Sequence, residues 1–385
     1  MQLTGFRREN GQVGIRNHVV IISSVVCANR AVEMIAAQVP GAIPIIHQHG
    51  CSQIGSDKEQ TARTLIGFGK NPNVAAVLVV GLGCETLQPK DLAAEIEVTG
   101  KPVAHMTIQD EGGTLKTVAR GSEIVRDMVM NASQIQRQPV DISDIILGTE
   151  CGGSDTTSGL AANPATGFAS DLLVEAGGTV ILSETTELTG TEHILAKRAK
   201  NAEVARQIYE IVANVEKESK RLGVDIRGGN PTPGNIEGGL TTIEEKSLGC
   251  IYKAGSSVIN EVIQFAEEPS EKGLVVMDTP GHDIESITGM IAGGAQIIVF
   301  TTGRGTPTGA PIAPVVKVCG NPKTVKTMMD NIDIDASTIM TGGKTVEEVG
   351  REIYEEYLQV INGKQTKSEV LGQRDFAICR IARTM

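Results

Sequence analysis

Nine short apolar runs, rich in Val and Ile, recur along the chain and limit the folds that are open to it. They are HVVIISSVV (18–26), AIPIIH (42–47), VAAVLVV (74–80), PVAHMT (102–107), DIILGT (144–149), TVILSE (179–184), GLVVMDT (273–279), QIIVFTT (296–302) and PVVKVC (314–319). The runs are continuously apolar rather than alternating, which is typical of strands covered on both faces. Helix-like stretches separate most of them, so the sequence predicts an α/β fold with mainly parallel sheets.

The helix-like stretches are ANRAVEMIAAQV, EQTARTLIGF, PKDLAAEIEV, TLKTVARGSEIVRDMVM and SSVINEVIQFAEE, with the longest helical region from about 192 to 221. After it, VDIRGGNPTPGNIEGGL predicts an ordered excursion over the surface without regular elements. A chain of 385 residues favours two domains. The change of composition in ASQIQRQPVDIS (132–143) places the boundary there and gives domains 1–137 and 138–385.

Composition excludes several classes of partner. The net charge is −11, aromatic residues make up 3% of the chain and Trp is absent, which argues against nucleic acid. No apolar run approaches the roughly 20 residues that cross a bilayer. The N-terminal MQLTGFRREN lacks the apolar stretch of a signal peptide, so we expect a cytoplasmic protein. Seven cysteines, an odd number, are then reduced thiols rather than disulfides.

Reactive side chains collect where the apolar runs end. The ends are SSVVC (23–27), HQHGC (47–51), GLGCE (81–85), GTECGGSD (148–155), SETTE (183–187), MDTPGHD (277–283) and FTTGRGT (300–306). Ligands of parallel α/β sheets bind at the carboxyl ends of strands, so this pattern predicts an active site. Cys51, Cys84 and Cys151 lie beside glycines, and soft thiolates suit iron, zinc or an iron–sulfur cluster. We expect Cys250, Cys319 and Cys379 to be small buried residues.

The glycine-rich ends match neither GxGxxG nor GxxxxGK[ST], and GxSxG is missing, so a dehydrogenase and a serine hydrolase are disfavoured. Ser154, Asp155 and Thr156 suit a substrate rich in hydroxyls. Arg16 and Arg304 are candidate clamps for a carboxylate, with an ordinary surface ion pair as the alternative for each.

Taken together, the motifs resemble those of the altronate/galactarate dehydratase family. The resemblance rests on GFRRENGQVGIRNHVVIISSVVC, HQHGC, GLGCE, ECGGSDTTSGLAANP, GGLTTIEEKSLG, VVMDTPGHD, VFTTGRGT and KTVEEVGREI, and it covers essentially the whole chain. It implies a dimerisation domain before residue 138, a Rossmann-like variant after it, and a divalent metal, iron first. Many relatives carry a small N-terminal domain of the SAF type that is absent here, so we expect a separate small subunit.

The resemblance implies β-elimination of water from a sugar acid to give a 2-keto-3-deoxy acid. The candidates for proton transfer are His47, His49, Glu85 and His282, with individual roles left open. Arg16, Asn17, Ser154, Asp155, Thr156 and Arg304 are the candidates for substrate binding. Cys51, Cys84 and Cys151 are the metal candidates, holding either a cluster with one open iron site or, with His or Asp/Glu, a single Fe²⁺ or other divalent ion. His18 and His105 are expected to be structural.

Two other functions remain open. The β subunit of sulfolactate sulfo-lyase has the same organisation, so C–S cleavage with release of sulfite is the first alternative. A non-catalytic subunit that binds a sugar acid is the second, although binding modules seldom need so many ionisable groups. In each case we expect a small hydroxy acid as ligand, a homo-oligomer, and neither nucleic acid nor membrane as partner.

Overall fold

The computed structural model describes residues 2–384 and has an α/β fold with two parallel sheets. Its strands are β1 Thr4–Arg7, β2 Val13–Gly14, β3 His18–Ser23, β4 Ala42–Ile45, β5 Val74–Gly81, β6 Val103–Thr107, β7 Gln138–Pro139, β8 Ile146–Cys151, β9 Thr179–Leu182, β10 Ile259–Ile263, β11 Gly273–Met277, β12 Ile297–Thr302, β13 Val315–Cys319 and β14 Ile334–Asp335. Every predicted strand is present. Most of the runs are buried along almost their whole length, whereas β6 is buried only at Met106.

The helices follow the strands in the order that parallel sheets require. They are α1 Asn29–Gln38, α2 Gly55–Lys70, α3 Pro89–Glu97, α4 Thr114–Ala132, α5 Asn163–Glu175, α6 Glu192–Ala196, α7 Ala202–Arg221, α8 Pro233–Glu237, α9 Ile243–Cys250, α10 Asp283–Ala292, α11 Pro322–Thr327, α12 Ser337–Met340, α13 Val346–Ile361 and α14 Lys367–Val370. None of the helices in the described part of the chain combines the length and apolarity of a membrane span.

Three predictions of secondary structure are wrong. SSVINEVIQFAEE forms the strand β10 rather than a helix, because its β-branched residues pair in parallel with β11. The helix expected from 192 to 221 is broken between α6 and α7, where Asn201 caps α7 by accepting a hydrogen bond from the Val204 amide. The predicted irregular excursion contains α8, which begins in a capping box formed by Thr232 and Asn235.

The two parallel sheets have the strand orders β4-β3-β5-β6 and β10-β11-β9-β8-β12-β13-β14. In the larger sheet the chain leaves β8 toward β9, then returns to add β12 on the other side of β8, so the order reverses between β8 and β12. The smaller sheet reverses in the same way between β3 and β5. Such reversals open a crevice at the carboxyl ends of the strands. A short antiparallel sheet, β2-β1-β7, lies beside them.

A continuous apolar core joins the two sheets. Helix α2 covers one face of the small sheet and packs on α10, which covers the large sheet. The helices approach closely at Gly67, where an added Cβ would lie 2.3 Å from the carbonyl oxygen of Ala292. Helices α1 and α4 cover the far face of the small sheet, and α5, α7 and α13 contribute to the core on the far face of the large one.

The C-terminal segment after α14 runs without regular structure along this junction. Phe376 packs edge-on against Phe68 of α2, with ring centroids 4.7 Å apart. The carbonyl of Cys379 accepts a hydrogen bond from Gln60 at 2.8 Å, and the Arg380 guanidinium donates to both carboxylate oxygens of Asp57. The segment therefore connects the carboxyl edge of the small sheet to the rest of the molecule.

Candidate metal centre and substrate pocket

Two thiols and two carboxylates meet beyond the central strands of the large sheet. Cys151 ends β8, while Glu184 and Glu187 follow β9, and Cys250 ends α9. We call these four residues the thiol–carboxylate cluster. All four are buried, and one ligand atom from each lies within 4.8 Å of the others.

Short contacts hold the cluster together. Cys151 Sγ lies 3.3 Å from Glu187 Oε2, 3.6 Å from Cys250 Sγ and 3.7 Å from Glu184 Oε1. The Cys151 amide donates to Glu184 Oε2 at 3.0 Å. Glu184 has a left-handed backbone with φ 66°, which is uncommon for a residue other than glycine. Its amide donates to Thr279 Oγ1 at 2.7 Å, which helps to fix this conformation.

Two lysines supply the compensating positive charge. Lys253, which is fully buried, places Nζ 2.7 Å from Cys250 Sγ and 2.7 Å from Glu184 Oε2. Lys246 pairs with Glu187 Oε1 at 2.5 Å. Burial by itself lowers the pKa of both ammonium groups, but the neighbouring thiols and carboxylates reverse this and raise it. Both lysines are therefore charged within the site.

The pKa values of several acidic groups are raised as well. Burial raises the pKa of Glu184 to about 7, and Glu187 adds to the effect against the attraction of Lys253. Burial, with Glu187 nearby, raises the pKa of Asp283 at the start of α10 to about 6. The hydrogen bond with Cys250, together with burial, raises the pKa of the Cys151 thiol. The site thus holds more acidic groups than its own cations neutralise.

A third carboxylate extends the site toward α10. Glu150 Oε2 accepts hydrogen bonds from Ser286 at 2.7 Å and Ser183 at 3.2 Å, whereas its buried Oε1 atom has no partner in the described part of the chain. Ligand atoms of Glu150, Glu184 and Asp283 also lie within 4.8 Å of one another. An unpaired buried carboxylate oxygen costs free energy, so a group that contacts it would stabilise the site.

A divalent transition metal fits the cluster. Four groups that can each carry a negative charge face two lysines, so a divalent ion would make the set neutral. Thiolates together with carboxylates suit iron or zinc better than magnesium or calcium. Cys151, Cys250, Glu184 and Glu187 are the residues that would hold the ion.

A cavity of about 300 Å³ opens above the cluster. Cys151, Cys250 and Lys246 line it together with the loop that follows β8, which contributes Ser154 and Asp155. The Ser154 hydroxyl is buried and has no hydrogen-bond partner among residues 2–384. A substrate oxygen in the cavity would satisfy this hydroxyl.

The other substrate-binding candidates in this region are held by the protein itself. Asp155 accepts from the amides of Thr157 and Ser158 and from the Asn321 side chain, so its carboxylate organises the loop. Thr156, also at the cavity, donates to the Gly238 carbonyl at 3.0 Å. Arg304 forms an exposed ion pair with Glu237 at 2.9 Å.

Arg16 and Asn17 lie elsewhere, near the antiparallel sheet. Arg16 makes a bidentate ion pair with Glu369, at 2.7 and 2.9 Å, and donates to the carbonyl of Val360. Asn17 accepts from Arg8 and donates to the Ala132 carbonyl, both at 2.8 Å. These contacts join the start of the chain to α4, α13 and α14.

Two of the proton-transfer candidates are fully engaged in the small sheet. His47 Nε2 lies 2.7 Å from the Ser23 carbonyl, and Nδ1 accepts from the His49 amide at 3.0 Å, so the ring is neutral with its proton on Nε2. Burial lowers its pKa to about 4. Glu85 Oε1 accepts from Ser24 and from the Leu82 amide, and Oε2 accepts from the Gly83 amide. Both groups fix the loops that follow the strands.

His49 and His282 are less constrained. Nδ1 of His49 lies 3.2 Å from an Arg380 nitrogen, and burial followed by that positive charge lowers the pKa of this imidazole. His282 is exposed at the start of α10, with Nδ1 3.8 Å from a Glu285 oxygen. It directly precedes Asp283, whose carboxylate belongs to the group with Glu150 and Glu184.

The three metal candidates are not gathered at one place. Cys51 and Cys84 are exposed at the carboxyl edge of the small sheet, while Cys151 is buried beyond the large sheet. Cys250, Cys319 and Cys379 are buried or half-buried, but Cys250 contacts the cluster and is not mere core packing.

Seven residues of the site are not among those predicted from the sequence: Glu150, Glu184, Glu187, Lys246, Cys250, Lys253 and Asp283. The segment SETTE is one of the predicted strand ends, but its Glu184 and Glu187 are not among the site residues predicted from the sequence. Cys250, Lys246 and Lys253 lie on α9 and the turn after it, away from any strand end, so only the motif GGLTTIEEKSLG pointed to this region.

The fold and the site define an α/β enzyme with a buried thiol–carboxylate centre at a crevice between parallel strands. Family models cover both halves of the chain: "D-galactarate dehydratase/Altronate hydrolase, second domain" matches residues 5–133, and "D-galactarate/Altronate dehydratase, C-terminal" matches residues 142–384. The chain therefore belongs to the D-galactarate/altronate dehydratase family, whose enzymes are lyases.

Curated relatives include both dehydratases and a sulfo-lyase. The chain is 41% identical over 384 residues to (2R)-sulfolactate sulfo-lyase subunit beta of Chromohalobacter salexigens, covering 98% of this chain and 97% of the relative. It is 34% identical over 392 residues to altronate dehydratase of Bacillus subtilis, covering 99% and 78%. With galactarate dehydratase (L-threo-forming) of Escherichia coli it shares 40% identity over 310 residues, covering 79% and 59%.

Proposed function

We propose that this chain is the catalytic subunit of a metal-dependent lyase that eliminates a β-substituent from a 2-hydroxy acid. The observation that carries the proposal is the convergence of two thiols and two carboxylates in a buried cluster, whose two thiols line the cavity together with Ser154. A divalent metal bound there, iron first, would act as a Lewis acid that lowers the pKa of the α-proton and polarises the leaving group. The names of the relatives support the same class of reaction.

The balance of the reaction is simple. A base removes the proton on the carbon that bears the hydroxyl and the carboxylate, and the leaving group departs from the adjacent carbon with the electron pair. The resulting enol tautomerises to a 2-oxo acid. Net loss of water gives a 2-keto-3-deoxy sugar acid, and net loss of sulfite from sulfolactate gives pyruvate.

Lys246 and Ser154 are proposed to hold the substrate. The Lys246 ammonium lines the cavity and stays charged, so it can donate hydrogen bonds to a substrate carboxylate. The unpaired Ser154 hydroxyl can donate to a substrate hydroxyl or carboxylate. Arg304 and Thr156, at the same edge, remain proposed contacts for the far end of a longer sugar acid.

His282 and His49 are the remaining candidates for proton transfer. His47 and Glu85 are less suited, because every acceptor atom that they offer already has a partner in the protein. His282 is the better candidate of the two, since it adjoins Asp283 and its ring is accessible. An imidazole needs little adjustment of its pKa to exchange protons near neutrality.

Water and sulfite are the two leaving groups to be distinguished. The family descriptions and two of the relatives support water, and a sugar acid as substrate. The 41% identity to the sulfo-lyase subunit over nearly the whole of both chains supports sulfite. That relative is a subunit, so we also propose a small partner subunit for this chain, and self-association through the N-terminal part of the chain.

One assay tests the proposal and separates the two leaving groups. Metal-loaded protein, with and without a candidate small subunit, is incubated with D-altronate, galactarate or (2R)-sulfolactate. Formation of a 2-oxo acid is measured with a hydrazine reagent, and sulfite is measured with a disulfide reagent. We expect a 2-oxo acid from one substrate class, with none from the E187Q variant. Absence of any 2-oxo acid or α-proton exchange in D₂O, with the small subunit present, contradicts the proposal.

A further inference from the structure

Three of the seven cysteines are exposed, and all three lie at one edge of the small sheet. Cys27 follows β3, Cys51 follows β4 and Cys84 follows β5. These are neighbouring parallel strands in the order β4-β3-β5, so the three loops emerge side by side. Free cysteine is usually a buried residue, and exposing three at one strand edge calls for a reason.

Hydrogen bonds tie the three loops together next to the cysteines. The Val26 amide, beside Cys27, donates to the His49 carbonyl at 2.9 Å. The carbonyl of Gly50, beside Cys51, accepts from the Thr86 hydroxyl at 3.1 Å. Ser24 donates to the carboxylate of Glu85, beside Cys84, at 2.7 Å. Each cysteine is thus within two residues of a contact between two of the loops.

Glycines occupy the positions near the thiols where the backbone lies too close to its neighbours for a side chain. Gly50 has φ +100°, and an added Cβ would lie 2.0 Å from the Ser24 carbonyl oxygen. A Cβ on Gly81 would lie 2.0 Å from Glu85 Oε1. Gly83, directly before Cys84, has φ +128° and would meet the side chain of Gln109. These glycines allow the loops to pack closely and fix where the thiols emerge.

The spacing of the thiols argues against a single tetrahedral ion. Tetrahedral zinc holds thiolates about 3.8 Å apart, from bonds of about 2.3 Å. The Sγ atoms of Cys27, Cys51 and Cys84 are not all within 4.8 Å of one another. A cluster binds each thiolate to a different iron and therefore spans a wider set. The Glu85 carboxylate is occupied by its own hydrogen bonds and His49 Nδ1 faces the Arg380 guanidinium, so the three thiols are the main candidates for ligands at this edge.

We propose that Cys27, Cys51 and Cys84 together hold an iron–sulfur cluster, in which one iron has no cysteine ligand from this chain. The set retains two of the cysteines selected from the sequence and replaces the distant Cys151 with Cys27. The assignment does not rest on the proposed function, because it concerns only what these thiols bind. It makes the small sheet a second metal site, separate from the thiol–carboxylate cluster.

Anaerobic reconstitution tests the assignment without an activity assay. The full chain is incubated with ferrous iron, sulfide and a thiol reductant, desalted, and analysed for iron, acid-labile sulfide and visible absorption. Wild-type protein is expected to retain iron and sulfide in similar amounts with a broad brown absorption. C27S, C51S and C84S should each lose most of the sulfide and colour, while C319S, the matched control, should retain both.

Because all three positions are exposed, serine should fit without unfolding the protein, and far-UV circular dichroism checks this. Two results would overturn the assignment. One is a wild-type chain that retains iron without sulfide, or neither. The other is a folded C27S/C51S/C84S variant that retains the cluster at the wild-type level. If C151S loses lyase activity but keeps the iron–sulfur cluster, the result supports the assignment of that cluster to Cys27, Cys51 and Cys84. The loss of activity then concerns only the proposed function.

Discussion

The ammonium of Lys253 lies 2.7 Å from Cys250 Sγ and 2.7 Å from Glu184 Oε2, in a part of the molecule that water does not reach. A buried cation in this position neutralises groups that would otherwise repel one another. It also links α9, through the turn that follows, to the strand end of β9. The thiol–carboxylate cluster is therefore coupled to the stability of the fold as well as to metal binding.

Replacing Lys253 should lower the urea concentration at which half of the protein is unfolded. In metal-free protein, K253M leaves Glu184 buried without its cation, and the loss should be about 3 kcal/mol of unfolding free energy. Urea denaturation followed by circular dichroism measures the change. The K253M/E184Q variant should recover a substantial part of the loss because both charges are removed. Equal stability of K253M and the wild type would show that the pair is not a compensated ion pair.

Metal content should depend on the cluster cysteines and not on buried cysteines in general. C151S and C250S each remove one thiol ligand. We therefore expect the affinity of the thiol–carboxylate cluster for its metal to fall by at least tenfold. Cys319 is also buried at a strand end, but its Sγ contacts the carbonyl oxygens of Gly303 and Asn321, which makes C319S the matched control. Elemental analysis of chains treated with a chelator and reloaded gives the comparison. Unchanged metal in C151S contradicts the assignment.

The buried imidazole of His47 should make stability depend on pH. Its pKa is about 4 in the folded chain and about 6.5 when unfolded. Because the pKa is lower in the folded chain, the unfolded chain binds more protons between these two values. The full contribution of His47 to the unfolding free energy is therefore present above pH 6.5, and it is lost as the pH falls toward 4. The loss is about 3 kcal/mol for this group.

Denaturation curves of the wild type and H47N between pH 7 and pH 4 isolate this contribution. The difference in unfolding free energy between the two should shrink as the pH falls. H105N provides the control, because it makes the same substitution at a histidine that is exposed on β6. A constant difference between wild type and H47N across this range would mean that His47 is protonated equally in both states.

The unpaired Ser154 hydroxyl should contribute to substrate binding. S154A removes one hydrogen bond to the substrate, which should reduce kcat/KM by roughly three- to tenfold, with no loss of metal. Ser247 carries another buried hydroxyl without a partner among the residues that the structure describes, but it does not line the cavity, so S247A should retain wild-type kinetics. Steady-state kinetics on the substrate found active settles it, and equal effects of the two substitutions would exclude a specific role for Ser154.

The sequence predicted the parallel sheets because their strands are uniformly apolar, and it predicted that chemistry would lie at strand ends. It did not indicate which ends meet. Cys51, Cys84 and Cys151 share a glycine-flanked pattern, yet the order of the strands assigns them to two different sheets. Pairing between strands that are distant in sequence determines which strand ends are neighbours. A local motif contains no information about that pairing.

Residues outside strand ends were harder to find. Lys253 and Cys250 sit in a helix and turn with an ordinary helical pattern, and only packing reveals that they face Cys151. Conversely, Glu85 and Arg16 have residue types suited to catalysis, but close backbone and side-chain partners occupy them. The mistaken helix at β10 has a similar origin, since a short apolar run beside a sheet edge fits either element.

Anomalous diffraction from crystals of the metal-loaded chain tests most directly whether the thiol–carboxylate cluster binds the metal. Data collected at the iron edge locate each bound iron independently of any assumed ligand. We expect a peak within bonding distance of Cys151 and Cys250 Sγ, with Glu184 or Glu187 completing the site. An active, metal-loaded enzyme with no peak there, and with Lys253 still bridging Cys250 and Glu184, would contradict it.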